Sequence, residues 1–195
     1  MRCFICIDLP REIINEAERI QHELKKKNIF IGKFVEGENL HLTLKFLGEI
    51  NEEKVEEVKR RLKEIKFKSF MAYLGELGVF SSNFIRIVWM HILGKKVEEL
   101  QGLIDESMKE IGFDKESQSK SRYSSRQHGR FMSHLTIARV KAVKDKRLFL
   151  EELNKIKTQN LGWKVNEFYL MKSELKPEGA VYDILGGFKL EPAKI

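Results

Sequence analysis

Apolar residues alternate with polar ones in parts of this chain and recur every three or four positions in others, and the two periods mark out its elements. Arg2 to Leu9 is a mostly apolar run that predicts a strand, and Pro10 stands as the first residue of a helix reaching about Lys27. Leu40 to Leu47 predicts a second strand. Asn51 is placed to cap a helix that carries Val55, Val58, Leu62 and Ile65 at helical spacing. Strands near Phe70 to Phe80 and Phe84 to Ile92 follow, joined by Ser81-Ser82-Asn83.

The second half repeats that order. Lys95 to Ile111 places Val97, Leu100, Ile104 and Met108 on one helical face, Ser133 to Val140 predicts a strand, and Asp145 to about Lys157 a helix. Strands near Trp163 to Leu175 and Ala180 to Leu190 close the chain, separated by the turn Lys176-Pro177-Glu178-Gly179. The chain thus predicts one domain, 1–195, made by a diverged duplication with approximate repeats 10–93 and 94–190. Residues 114–132 break the pattern. Rich in Ser, Lys and Arg, they predict a basic loop whose Lys115, Lys120, Arg122, Arg126 and Arg130 either grip phosphates or are simply solvated.

Composition narrows the classes. At 195 residues and 42% apolar content the chain supports a real core, and no apolar run approaches a membrane span of about 20 residues. The first residues lack the apolar region and cleavage site of a signal peptide, so a soluble cytoplasmic protein without membrane partners is expected. A net charge of +7 suits a polyanion, although mixed Lys/Glu helix faces account for much of the charge. Cys3 and Cys6 form a lone C-x-x-C; without a second Cys or Cys/His pair they read as small apolar residues of a buried strand.

The candidate chemistry lies in a tripeptide that occurs twice, His41-Leu42-Thr43 and His134-Leu135-Thr136, in the equivalent strand of each half. With three threonines in the whole chain, a given His has a Thr two places later roughly once in 65 cases, so two such coincidences among five histidines are improbable. In a strand, residues i and i+2 share a face. His41 and Thr43 therefore project together, with Leu40, Leu42, Leu44 and Phe46 on the core side; His134 and Thr136 pair likewise above Leu135 and Ile137. If the halves are related by a two-fold, the two His/Thr faces meet across a cleft. One imidazole then takes a proton from an attacking oxygen while the other gives one to the leaving oxygen, as in-line displacement at phosphorus requires. Thr43 and Thr136 would donate to non-bridging phosphate oxygens. No carboxylate, Cys or further His recurs beside both motifs, which argues against a catalytic zinc with three protein ligands. His22, His91 and His128 read as structural or solvated.

These motifs resemble those of the two-histidine phosphoesterases, and within them the RNA 2′,3′-cyclic phosphodiesterases also called 2′-5′ RNA ligases. The resemblance runs from Arg2 to Pro10, through Glu38 to Gly48, Gly78-Val79-Phe80, Ile85 to Trp89 and His134 to Lys141, to Ser173 to Tyr182. It implies a bilobal α+β fold, each lobe an antiparallel sheet with helices outside and the motifs facing across a central cleft. It also implies His41 as proton donor to the leaving 3′ oxygen, His134 as the base that activates water, a 2′-phosphomonoester product, and no cofactor or metal. Its implied partner is RNA with a 2′,3′-cyclic phosphate end, tRNA fragments included, without an obligate protein partner.

Arg130 of the basic loop, Arg139 and Tyr182 are further candidate substrate contacts. Regular alternation gives Arg139 the parity of Leu135 and Ile137, away from the phosphate, so that only a bulge or the strand end turns it inward. Residues 112–133 form a longer Ser/Arg-rich connection than the family usually has. Two other readings stand beside the leading one. The same site would serve 2′-5′ linked oligonucleotides, by hydrolysis or reverse ligation, or small cyclic nucleotides; alternatively the chain is a non-catalytic RNA-binding module.

Overall fold

A computed structural model describes residues 1–115, 126–127, 130–177 and 179–193, the side chains of 126, 127 and 130 excepted. The elements run β1 (Arg2–Ile7), α1 (Arg11–Lys27), β2 (Phe30–Phe34), a 3-10 turn (Gly37–Asn39), β3 (Leu42–Glu49), α2 (Glu52–Lys63), β4 (Phe70–Val79), β5 (Ile87–Leu93) and α3 (Lys95–Lys109). Two short strands, β6 (Arg126–Gln127) and β7 (Arg130–Phe131), precede β8 (His134–Val143), α4 (Lys146–Lys155), β9 (Gly162–Val165), β10 (Glu167–Leu175) and β11 (Ala180–Lys189).

Sequence-local chemistry sets several of these bounds. The Asn51 side chain accepts from the Lys54 amide at 2.8 Å and Asp145 from the Leu148 amide at 3.0 Å, so α2 and α4 each begin on a capped amide. Pro10 proves to be the residue before α1, and Asn28 ends that helix in the left-handed region, φ 47°. Ile65 lies beyond α2 rather than in it.

The strands run in the order β11-β10-β1-β3-β8-β5-β4-β9, with β2 also paired to β8, and all these pairings are antiparallel. The sheet has two wings. β11, β10, β1 and β3 form one; β8, β5, β4, β9 and β2 form the other; they join through the pairing of Leu42 with Leu135. Each wing draws on both halves of the chain, since β4 and β5 lie beside β8, while β10 and β11 lie beside β1. Helix α1 packs on β8 and α4 on β4, whereas α3 packs on β3, β4 and α2. Ile13, Ile20, Leu42, Leu44, Val58, Met90, Ile104, Leu135 and Phe149, each at most 1% exposed, belong to one continuous core.

Two further expectations are corrected. The run from Trp163 to Leu175 is two strands, not one: it breaks at Asn166, whose carbonyl accepts from Leu190 at 2.7 Å, and β9 and β10 lie at opposite reaches of the sheet. β2 is absent from the sequence-based elements, because its sequence, Phe-Ile-Gly-Lys-Phe, carries too little alternation; pairing with β8 makes it a strand. Cys3 and Cys6 are buried free thiols, and burial pushes both pKa values up.

Candidate active site

The two tripeptides lie where the wings join. Leu42 pairs with Leu135 in an antiparallel ladder, so one step either way sets His41 beside Thr136 and Thr43 beside His134. The local two-fold of that pair relates one motif to the other. Both leucines are fully buried, while both histidines and both threonines are half-buried on the opposite face. The leucines anchor the motifs in the core, and the polar side chains are left to line a cleft of about 620 Å³.

After each threonine the alternation breaks in the same way. In β3 the partners of β1 pass from Thr43 directly to Lys45, and in β8 those of β5 pass from Thr136 directly to Ala138. Each skip is a β-bulge, which places two successive residues inside: Leu44 and Lys45 in one strand, Ile137 and Ala138 in the other. The next residue is thereby turned to the cleft. Phe46, which alternation assigns to the core face, is 38% exposed and lines the cleft; Arg139 lines it too, against the parity of a regular strand.

Helices hold both bulges. Gln21 of α1 donates to the Val35 carbonyl at 2.7 Å and to the Ile137 carbonyl, inside the second bulge, at 3.1 Å. Lys45, 1% exposed within the first bulge, donates to Asp105 of α3 and to the Asp114 carbonyl at 2.5 and 2.7 Å. The two helix positions correspond. Ile13, Ala17, Ile20 and Leu24 are buried along α1 as Val97, Gln101, Ile104 and Met108 are along α3, and Gln21 and Asp105 each follow the third of these.

The imidazoles are oriented alike. His41 Nδ1 lies 2.8 Å from the Asn39 carbonyl, and His134 Nδ1 lies 2.9 Å from the Met132 carbonyl. A carbonyl only accepts, so each Nδ1 carries the hydrogen and each Nε2 is the nitrogen left for chemistry. Aromatic rings pack the sides: Phe4 at 4.7 Å and Tyr182 at 5.2 Å from His41, and Phe80 at 5.0 Å from His134. Desolvation by these surroundings is the main force on both pKa values. It brings His41 down to about 4, helped by the charges of His134 and Arg139 and opposed by the Asn39 carbonyl. His134 is lowered by the same desolvation, opposed by the Met132 carbonyl and helped by His91. In the free protein both rings are therefore neutral near pH 7.

Tyr182 faces His41 edge-on and lines the cleft, and burial raises its own pKa. Arg2, Phe4 and Phe80 carry no role legible from sequence, although all lie in stretches that carry the resemblance. Nothing in a single strand shows that β1 lies beside β3, which is what brings Arg2 and Phe4 to the cleft. His91, which reads as incidental in the sequence, is paired directly with His134. Of the basic loop, Lys115 is ion-paired with Glu106. Lys120, Arg122 and His128, with the side chains of Arg126 and Arg130, lie outside the described residues. Among the described residues, no three His, Cys, Asp or Glu side chains gather as a metal-binding group. None of the described helices is long and apolar enough to cross a membrane.

The chain has relatives among known proteins. The family model described as LigT like phosphoesterase matches residues 7–89 and 116–182. The chain is 34% identical to the RNA 2′,3′-cyclic phosphodiesterase of Methanocaldococcus jannaschii, over 95% of this chain and 98% of that one. It is 30% identical to the protein of the same name from Archaeoglobus fulgidus, over 97% and 100%. Among solved structures, TT0787 of Thermus thermophilus superimposes with a TM-score of 0.75 at 27% identity, covering 100% of both chains. Escherichia coli LigT in its apo form gives 0.74 at 23% identity over 97% of each, a likeness of fold.

Proposed function

The chain belongs to the LigT like phosphoesterase family, and from that footing we propose that it hydrolyses 2′,3′-cyclic phosphate ends of RNA to 2′-phosphomonoesters, with two histidines as its acid and base and no metal. The observation that carries this reading is the matched pair of imidazoles. Each is tied through Nδ1 to a carbonyl two residues earlier and leaves Nε2 for proton transfer.

In this reaction His134 Nε2 takes a proton from water as its oxygen attacks phosphorus. The P–O3′ bond breaks on the far side, and His41 Nε2–H gives its proton to the departing O3′. The sum is one water added, a 3′ hydroxyl released and a 2′-phosphomonoester formed; exchange with solvent resets the two rings. Thr43 and Thr136 donate to the non-bridging oxygens, where charge is held through the transition state, and Arg139 and Tyr182 contact the substrate beside His41. A cyclic phosphodiester is an anion, and its arrival raises the pKa of both rings, supplying the charged form of the acid that the free protein withholds.

The relatives named RNA 2′,3′-cyclic phosphodiesterase support the cyclic phosphate as substrate. A direct comparison tests the choice. Turnover of an RNA ending in a 2′,3′-cyclic phosphate is expected to exceed that of a 2′-5′ linked dinucleotide and of a 3′,5′-cyclic nucleotide. Faster cleavage of either of the latter would reassign the substrate, and RNA binding without turnover would make the chain a binding module.

A further inference from the structure

The floor of the cleft does not stop at His134. Directly paired residues of an antiparallel sheet share a face, so the pairings of His134 with His91 and of Thr136 with Trp89 put these β5 side chains on the cleft side. Leu93 comes next on that face; it pairs with Tyr73 of β4, which pairs with Gly162 of β9. Met71 follows, paired with Lys164. The intervening Ala72, Leu74 and Ile92 are buried in the core on the other face. Leu93 and Tyr73 are 44% exposed and Met71 45%, so the cleft floor continues outward as an apolar surface edged by the exposed Lys164.

Two glycines shape this surface. A Cβ at Gly162 would lie 2.5 Å from Tyr73 Cδ1, so the tyrosine ring rests against bare β9 backbone on one side and is open to solvent beyond it. A Cβ at Gly75 would lie 3.1 Å from both His91 Cβ and Leu93 Cγ, so those two side chains settle over β4. The ring is thus held in place before anything binds, which reduces the ordering cost of stacking on it. Glu76, in the irregular stretch between Leu74 and Leu77, is the nearest acid along β4.

We propose that this β5–β4–β9 face binds the single-stranded RNA segment just 5′ of the reacting end, with Tyr73 as a stacking platform for a base and Lys164 near its phosphates. The inference rests on the RNA substrate argued above. Its support is continuity: an RNA whose end sits between His41 and His134 must leave the cleft across a wing, and Tyr73 lies roughly 12 Å from His134, two strand spacings across and two residues along. An exposed aromatic ring with a neighbouring cation is the chemistry that holds unpaired bases without reading their sequence.

The test compares a nucleoside 2′,3′-cyclic monophosphate, which has no 5′ segment, with a pentanucleotide ending in the same group. For the pentanucleotide, Tyr73→Ala is expected to raise KM about 5- to 100-fold with little change in kcat, the range that loss of one stacked base spans. The mononucleotide should be unaffected, and Tyr73→Phe should keep the wild-type KM on both. Lys164→Glu should weaken the pentanucleotide alone and flatten its salt dependence. In parallel, fluorescence anisotropy of the labelled pentamer ending in a 3′ hydroxyl reports binding without catalysis. A loss of affinity in Tyr73→Ala there upholds the surface even if neither cyclic phosphate turns over, which would sink the activity alone. Equal effects of Tyr73→Ala on both substrates, or unchanged pentamer affinity, would overturn the surface while leaving the activity standing.

Discussion

At the scale of the residue, the account depends on two imidazoles that are neutral until an anion arrives. His41→Ala and His134→Ala should each lower kcat by about a hundredfold or more, the usual scale for a positioned general acid or base; a folded variant with near-normal turnover would remove that histidine from the mechanism. Thr43→Val and Thr136→Val should cost roughly tenfold to a thousandfold if each hydroxyl holds phosphate charge. pH gives an independent reading. One ring must be neutral and the other charged, so kcat/KM, which reports the free protein, should follow a bell, and both its limbs should lie below about 6.5 because burial lowers both rings. The kcat profile should sit at higher pH, where the bound phosphate supports the charged form. Arg139→Ala should raise KM and also move the kcat/KM profile upward, since the guanidinium depresses His41; a higher KM with an unmoved profile would separate Arg139 from His41. Stability carries the same signature. A folded-state pKa below the unfolded one means protons bind preferentially to the unfolded chain, so stability is complete above pH 6.5 and is lost as pH falls toward 4. Thermal unfolding between pH 7 and 4.5 should show that decline, and His41→Gln should reduce it.

At the scale of the element, the bulges decide which side chains reach the cleft. The strand and helix periods, the caps at Asn51 and Asp145, and both His/Thr pairs are legible in the sequence because each depends on residues close together in the chain. Phe46 and Arg139 are not, since alternation places both on the core face. What turns them is a long-range event: a bulge carbonyl met by Gln21 in one wing, and a buried Lys45 met by Asp105 in the other. Lys45 gives no warning in the sequence, since alternation sets it on the cleft face with His41 and Thr43, where a lysine needs no buried partner. The same limit explains β2 and the division at Asn166, whose strand pairings depend on segments far away in sequence. Lys45→Met leaves Asp105 without its buried cation and should destabilise the fold by about 3–5 kcal/mol, while Lys45→Met with Asp105→Leu should recover most of that loss. Chemical denaturation of the two variants checks this; equal stability in both would make the pair a bystander.

At the scale of the whole molecule, the crossing of the two halves turns a repeated tripeptide into a single site. Because α1 supports β8 and α3 supports β3, each motif is held by the helix that opens the other half, and the approximate two-fold runs through the Leu42 and Leu135 pair. Under the proposed reaction, that symmetry would set one ring on each side of the bound phosphate, as an in-line displacement needs. It also leaves the rival reading in plain view, since two histidines facing one ligand are equally the beginning of a metal site. The measurement that separates them is phosphorus NMR of an RNA bearing a 2′,3′-cyclic phosphate, incubated with the protein in EDTA. The account predicts an undiminished rate and a 2′-phosphomonoester as the product. Loss of activity in chelator with recovery on one particular divalent ion, or a 3′-phosphomonoester as the product, would contradict it.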